Sequence, residues 1–385
     1  MSNGGSYDVI VVGAGSMGMS AGYHLARSGL RTLLIDAFDP PHQEGSHHGE
    51  PRLIRHAYHG GPAYIAMALR AHELWRELEE LTRTELLVQS GVLNLSAESI
   101  YSYQQRVEDA QDLDLGIEYL NADEINKRWP VIQLTDDFKG LYEPRAGYLY
   151  SEQCVRSYRQ AALAEGAELL TYAEVEHIEV NERFAAVRIK DGRTFYADHA
   201  ILSAGAWFST LKGFIDLPIR PVRKVVGWFE PSTSAFDADR FPGFTLNSPY
   251  GGYYGFPSIG GAGLKIGRHD TGEGWLPGQP LKPFGSLPED EGDLRAALEA
   301  YMPQAAGTLL RGAVCKYEFT PDDDFIIDRH PQYPNVLLAG GFSGHGFKFS
   351  SVVGEILADL VNKGSTSLDI SKFAVSRFHS LTTTR

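Results

Sequence analysis

Three clusters in this 385-residue sequence combine residue types and spacings that could do chemistry. The first is Gly13-Ala14-Gly15-Ser16-Met17-Gly18, with Asp36 following 23 residues after Gly13. At that spacing Gly13 permits a tight turn, Gly15 lets backbone approach a pyrophosphate on a helix N-terminus, and Gly18 lets helix and strand pack closely. Asp36 then stands where a carboxylate accepts hydrogen bonds from ribose hydroxyls, and an acid there favours FAD or NAD over NADP. The second cluster is basic. Arg52 and Arg55 lie three apart, which on a helical turn would point them the same way, and the apolar Leu53 and Ile54 between them argue for partial burial, where arginines need anions. The third is Gly340-Gly341-Phe342-Ser343-Gly344-His345-Gly346-Phe347-Lys348, whose four glycines in seven residues exceed what one turn requires. Leading into a helix, this turn would present backbone N–H groups and a positive dipole end to an anion or to a flavin's electron-rich edge.

Other reactive side chains stand alone. Lys265 sits in the apolar run Gly263-Leu264-Lys265-Ile266, an unusual place for a lysine unless it is a strand-edge charge reaching solvent. His269 follows four residues later, a spacing that on a strand returns both side chains to one face. Tyr254 and Tyr317 read equally as sheet aromatics. Ser46-His47-His48-Gly49 carries adjacent histidines, yet no carboxylate or third histidine stands at ligand spacing, so structural or cofactor-contacting histidines are expected and no metal. The two cysteines, Cys154 and Cys315, form no CxxC and have no metal-site spacing. A disulfide is open on the count, although a cytosolic chain argues against it.

The elements that must position these groups follow from periodicity. A strand over 9–12, a helix to about residue 28 and an apolar stretch over 31–35 frame the first glycine turn as a βαβ unit. The apolar spacing of Met67, Ala71, Leu74, Trp75, Leu78 and Leu81 predicts a core-facing helix over 66–81. A strand over 88–95 breaks at Gly91; a polar helix is expected over 98–111 and another over 154–165, with Cys154 on its first turn. Strands are expected over 168–180, 184–189, 194–196 and 199–203, with Asp191-Gly192 as a hairpin signal and a glycine turn, Ala204-Gly205, closing the last. Between 219 and 317 the chain becomes β-rich, with runs over 219–230, 252–256, 263–267 and 310–317 separated by Pro- and Gly-rich loops. A strand over 335–339 and a helix to about 361 complete the third cluster's frame.

The fold class expected is therefore α/β, or α+β overall: a Rossmann-type nucleotide-binding domain with a second, mainly antiparallel sheet domain. Its expected boundaries are 1–85, 151–215 and 325–385 for the first, and 86–150 and 216–324 for the second. The net charge of −14 disfavours nucleic acid as a partner and means that an anionic substrate needs a local cluster of cations. No signal peptide and no membrane-length apolar run is seen, so a cytoplasmic enzyme without membrane partners is expected.

Taken together these motifs, with Tyr253-Tyr254-Gly255-Phe256-Pro257 and Arg311-Gly312-Ala313-Val314-Cys315, resemble the monomeric sarcosine oxidase and N-methyltryptophan oxidase family of FAD amine oxidases. The resemblance runs over nearly the whole chain and looks closest to the sarcosine oxidase branch. It implies FAD attached through an 8α-S-cysteinyl bond to Cys315, Arg55 and Lys348 as the cations holding the substrate carboxylate, and Arg52 near the flavin face. It also implies Lys265 as the cation assisting reaction with O2, and His269, Tyr254 and Tyr317 as walls of the substrate cavity. Gly13, Gly15, Ser16, Met17, Gly18, Asp36, Ser46, Arg52, Val175, Gly344, His345, Gly346, Phe347 and Lys348 would contact the cofactor. The implied activity is oxidation of sarcosine, or of another N-methyl or cyclic secondary amino acid, by O2 to an imine that hydrolyses, with H2O2 as co-product and a monomer as the working unit. One departure is Gly49-Glu50-Pro51-Arg52, where the family usually has Gly-Asp-Thr-Arg; proline fixes φ and removes a donor in the loop under the flavin.

Overall fold

A computed structural model describes residues 6–378. Its first sheet has eight strands, and the parallel centre runs Glu168–Leu170, Thr32–Ile35, Ser6–Val12, Thr194–Leu202, Val336–Gly340. The inner stretches Val9–Val12, Thr32–Ile35, Ala200–Leu202 and Val336–Gly340 are buried on both faces, which is why they read as unbroken apolar runs rather than alternating ones. Val9, Val11, Leu34, Ile201 and Leu337 pack on one side against the helices Ser16–Arg27, Pro62–Thr82, Ser151–Ala164 and Ser350–Asn362. Ile10, Val12, Leu33, Leu202 and Leu338 face the other side, where Ile178, Val187, Phe208 and Leu211 cover them. Ile326–Arg329 and the hairpin Val175–Val180/Ala185–Ile189 add antiparallel strands, with Gly192 (φ 92°) in the turn after Ile189 as the Asp-Gly signal requires.

The second sheet has nine strands. It is antiparallel except where Gly243–Ser248 runs beside Val92–Ala97, and its longest ladder pairs Arg220–Phe229 with Leu309–Phe319. Helix Glu289–Tyr301 packs on it through Leu294, Ala297 and Leu298; this helix and the short capped helix Ala122–Arg128 were not legible from the apolar spacing. A third, three-stranded sheet joins Arg52–Ile54, Gly147–Leu149 and Leu87–Val88.

Several expectations need correction. Arg52 and Arg55 do not share a helical turn: Leu53 and Ile54 pair with Tyr148 and Gly147, so the segment is a strand and the two arginines diverge. The single strand expected over 168–180 is two, because Tyr172 takes a left-handed φ of 54° and the chain crosses the ends of the parallel strands to the opposite edge. The short strand at 194–196 and that at 199–203 are one, Thr194–Leu202. The polar helix starts only at Gln104, since the preceding residues turn back onto the Ala97 carbonyl. Leu81, at the end of its helix, is 55% exposed rather than core.

Candidate cofactor and substrate site

A cavity of about 660 Å³ opens at the C-terminal ends of the parallel strands, where an open α/β sheet binds ligands. The Ser16–Arg27 helix points its N-terminus into it without a side-chain cap or an acid in its first turn, so its first N–H groups are free for an anion. A Cβ on Gly15 would meet nothing nearer than His47 Nδ1 at 3.9 Å, whereas one on Gly18 would lie 1.9 Å from the Gly13 carbonyl oxygen. Gly15 thus leaves the room a phosphate fills, and Gly18 is spent on packing helix against strand. Asp36 Oδ2 accepts from the Ala14 N–H at 2.8 Å and Oδ1 from Phe38 N–H at 2.9 Å, with His42 Nε2 at 3.3 Å. The acid therefore ties the end of its strand to the glycine turn at the cavity rim.

Of the residues expected to touch a cofactor, Gly13, Gly15, Ser16, Met17 and Asp36 line this cavity at one strand pair; Ser46, Arg52, Val175, Gly344, Gly346 and Phe347 line it from three other segments. Gly18, Cys315, His345 and Lys348 stand behind the lining. An extended dinucleotide fits this set: a phosphate seat at a helix N-terminus, an acid at the ribose position and a second glycine turn on a separate strand. His345 is engaged elsewhere, with Nδ1 2.8 Å from Tyr58 Oη and Nε2 3.0 Å from the Asp323 carbonyl.

The loop Ser46–Arg52 is folded around Arg52, whose guanidinium donates to the carbonyls of Ser46, His48, Gly49 and Pro51. Carbonyl oxygens thus satisfy an arginine that the sequence led one to pair with an anion. His47 is buried and accepts from the His42 N–H at 3.2 Å, a structural role beside the cavity. Lys265 is 1% exposed, which removes the solvent-reaching alternative. Its Nζ donates to the carbonyls of Gly49 and Pro51 and lies 5.1 and 5.0 Å from the ring centroids of Trp228 and Phe256. Burial, reinforced by the Arg52 charge, pushes this ammonium well below the usual lysine range. Cys315, also buried, stands opposite Lys224 in the sheet ladder; burial raises its thiol, while Arg52, Lys265, Lys224 and Lys316 pull it back down.

On the same face of this strand, two residues on from Cys315, Tyr317 Oη meets Tyr254 Oη at 3.2 Å, and the Tyr317 ring lies 5.8 Å from that of His269. Burial first, and then Lys224, Arg55 and Lys348, lower His269 to about 4, leaving a neutral imidazole. Arg55 and Lys348 both approach the Tyr58 ring, and Lys348 Nζ donates to the His345 carbonyl at 2.6 Å. Burial and the Arg55 charge lower Lys348 well below its ordinary value. Two basic groups, each held by a neutral acceptor, thus meet at the Tyr58 ring.

Several members of the site were not read from the sequence. Lys224, in the run Val222-Arg223-Lys224-Val225, donates to the carbonyls of His269 and Thr271 and so holds the turn that carries His269; burial lowers it to about 8. Glu318 lines the cavity while only 6% exposed, and burial raises it to about 8. Lys316 pairs with Glu44 at 2.8 Å. A charged residue inside an apolar strand is the signal that all three share. Among the described residues no three His, Cys, Asp or Glu side chains gather as a metal site, and no helix is long and apolar enough to cross a membrane.

Comparison with known proteins gives a consistent picture. The family model described as FAD dependent oxidoreductase matches residues 8–360. The monomeric sarcosine oxidase of Bacillus sp. (strain B-0618) is 49% identical over 375 residues, 96% of each chain. The N-methyl-L-tryptophan oxidase of Salmonella heidelberg (strain SL476) is 40% identical over 373 residues, 97% of this chain and 99% of that one. Among solved structures, the L-proline dehydrogenase of P. horikoshii shares the fold at a TM-score of 0.84 and 22% identity, covering 97% of this chain and 98% of its own.

Proposed function

This chain belongs to the FAD dependent oxidoreductase family, and from that we propose that it oxidises sarcosine, or a related secondary amino acid, with O2 and water to glycine, formaldehyde and H2O2. The observation carrying this reading is the pair Arg55 and Lys348, two cations at one ring with no acid bound to either among the described residues. A carboxylate supplies the missing charge, and its capture fixes the adjoining N-methyl group against the cavity. FAD, when bound, supplies the two-electron acceptor that O2 restores.

The chain's own groups do the rest. The glycine turn at Gly13–Gly18 and Asp36 hold the nucleotide half, and the Gly344–Lys348 segment and Arg52 border the flavin half. Tyr254, Tyr317 and His269 shape the substrate cavity; a neutral His269 does not compete with the clamp for the carboxylate. Protonated Lys265, held by two carbonyls in a water-excluded position, favours electron transfer to O2 by stabilising developing superoxide. Cys315 forms the 8α-S-cysteinyl link; burial raises its thiol, and its four basic neighbours oppose that rise. The nucleotide domain comprises 1–85, 151–215 and 325–385 and the substrate domain 86–150 and 216–324; the enzyme works as a cytoplasmic monomer.

Anaerobic sarcosine should bleach the flavin of the purified protein, and a panel of N-methyl amino acids scored by peroxide output should rank sarcosine first. No bleaching would overturn the assignment. A preference for N-methyl-L-tryptophan or a cyclic secondary amine would select the alternative substrate, which similarity to N-methyl-L-tryptophan oxidases keeps in view.

A further inference from the structure

The polar residues behind Arg55 are marked by no motif, yet they form a closed network. Arg55 Nη1 donates to Asn94 Oδ1 at 2.8 Å, and Thr245 Oγ1 donates to the same oxygen at 3.1 Å. Asn94 Nδ2 donates to the Leu141 carbonyl and to Glu143 Oε1, each at 3.0 Å. This amide, 0% exposed, therefore makes all four of the hydrogen bonds open to it. Turned over, it would set its NH2 against the guanidinium, so only one orientation is allowed.

The nearby acid is not available to Arg55. Glu143 Oε2 accepts from the backbone N–H groups of His56 and Ala57 at 2.7 and 2.9 Å, the two residues that follow Arg55, and Oε1 faces Arg106 Nη2 at 3.6 Å. Arg106, also buried, donates Nε to the Ala57 carbonyl at 2.9 Å. Glu143 thus fixes the backbone beneath Arg55 and balances Arg106, and Arg55 Nε is left without a partner.

We propose that Asn94 is a positioning residue which aims Arg55 through a neutral acceptor, so that the guanidinium is held in place while its charge stays free for the substrate carboxylate. A carboxylate at the same position would form a buried ion pair and consume that charge. An apolar residue would leave a long, rotamer-rich arm to be ordered at each binding event. The inference rests on the reading of Arg55 as half of the carboxylate clamp.

The flavin-loaded protein and its N94A, N94D and R55M variants are titrated with methylthioacetate, an anionic sarcosine analogue, and with the neutral 2-(methylthio)acetamide, following flavin absorbance. N94A should weaken the anion about tenfold and N94D about a hundredfold, the scale of one and two lost charge-assisted bonds, while affinity for the neutral amide changes less than about twofold. N94A should also raise KM for sarcosine by a larger factor than it lowers kcat. Binding of methylthioacetate to N94A within about twofold of the parent, or equal losses for anion and amide, would overturn the proposal; N94A alone decides if N94D does not load flavin. If R55M keeps full affinity, the clamp reading fails and this inference with it; if R55M alone loses the anion, the clamp stands and the role of Asn94 falls.

Discussion

Arg55 and Lys348 converge on the ring of Tyr58, their charged groups 5.2 and 5.0 Å from its centroid, although they come from segments almost 300 residues apart in the chain. Burial disfavours the ammonium and the nearby Arg55 charge adds to the cost, which is why Lys348 loses its proton more readily than an ordinary lysine. An anion between them reverses both penalties. R55M and K348M should each raise KM for sarcosine by about 10- to 100-fold, the weight of a hydrogen bond to a charged group. A KM within about twofold of the parent for both would remove the clamp.

Lys265 offers a separate test, because its charge faces two carbonyls and two aromatic rings rather than the clamp. K265M should slow flavin reoxidation by O2 far more than flavin reduction by sarcosine, measured by stopped flow in the two half-reactions. Equal slowing of both would point to a loop disturbed by the lost Gly49 and Pro51 bonds instead.

Cys315 predicts where the colour goes. Acid precipitation of the parent protein should leave the flavin with the pellet, whereas C315A should release it to the supernatant. Flavin released from the parent would exclude the thioether.

Glu318 makes stability depend on pH in a defined direction. Burial raises its carboxyl to about 8 in the folded chain from the ordinary value of 4.5, so between those values the folded state holds a proton that the unfolded state has lost. Stability from this group is complete below 4.5 and falls as pH rises through the window, by up to about 1.4 kcal/mol per pH unit. In denaturant unfolding at pH 5.5 and pH 8, E318Q should lose less stability than the parent over that interval. An identical fall in both proteins would mean that the carboxyl is not held neutral.

Gly18 tests the seat of the nucleotide. A Cβ there would lie 1.9 Å from the Gly13 carbonyl oxygen, so G18A must push the helix off its strand, an overpacking cost of about 1–3 kcal/mol. The expected result is a smaller fraction of chains loaded with flavin and a lowered melting temperature. G15A, whose Cβ meets only His47 Nδ1 at 3.9 Å, should retain its melting temperature but still load less flavin; the reverse order would contradict the division of labour between these glycines.

The βαβ unit, Asp36, the second glycine turn and the mainly antiparallel second sheet were readable because each depends on local rules: φ freedom at glycine, apolar runs in strands buried on both faces, and residue spacing along one element. The implied site residues were named through resemblance to a family, and nothing in composition or spacing joined Arg55 to Lys348. What only the tertiary structure decided was who meets whom. Arg52–Ile54 became a strand because Tyr148 and Gly147 supply its ladder, Lys265 lost its path to solvent beneath Gly49 and Pro51, and Asn94 found four partners on three separate segments. Hydrogen bonding and burial are set by long-range packing, so a polar residue's partner cannot be read from its neighbours in sequence, and the chemistry of this site resides in those partners.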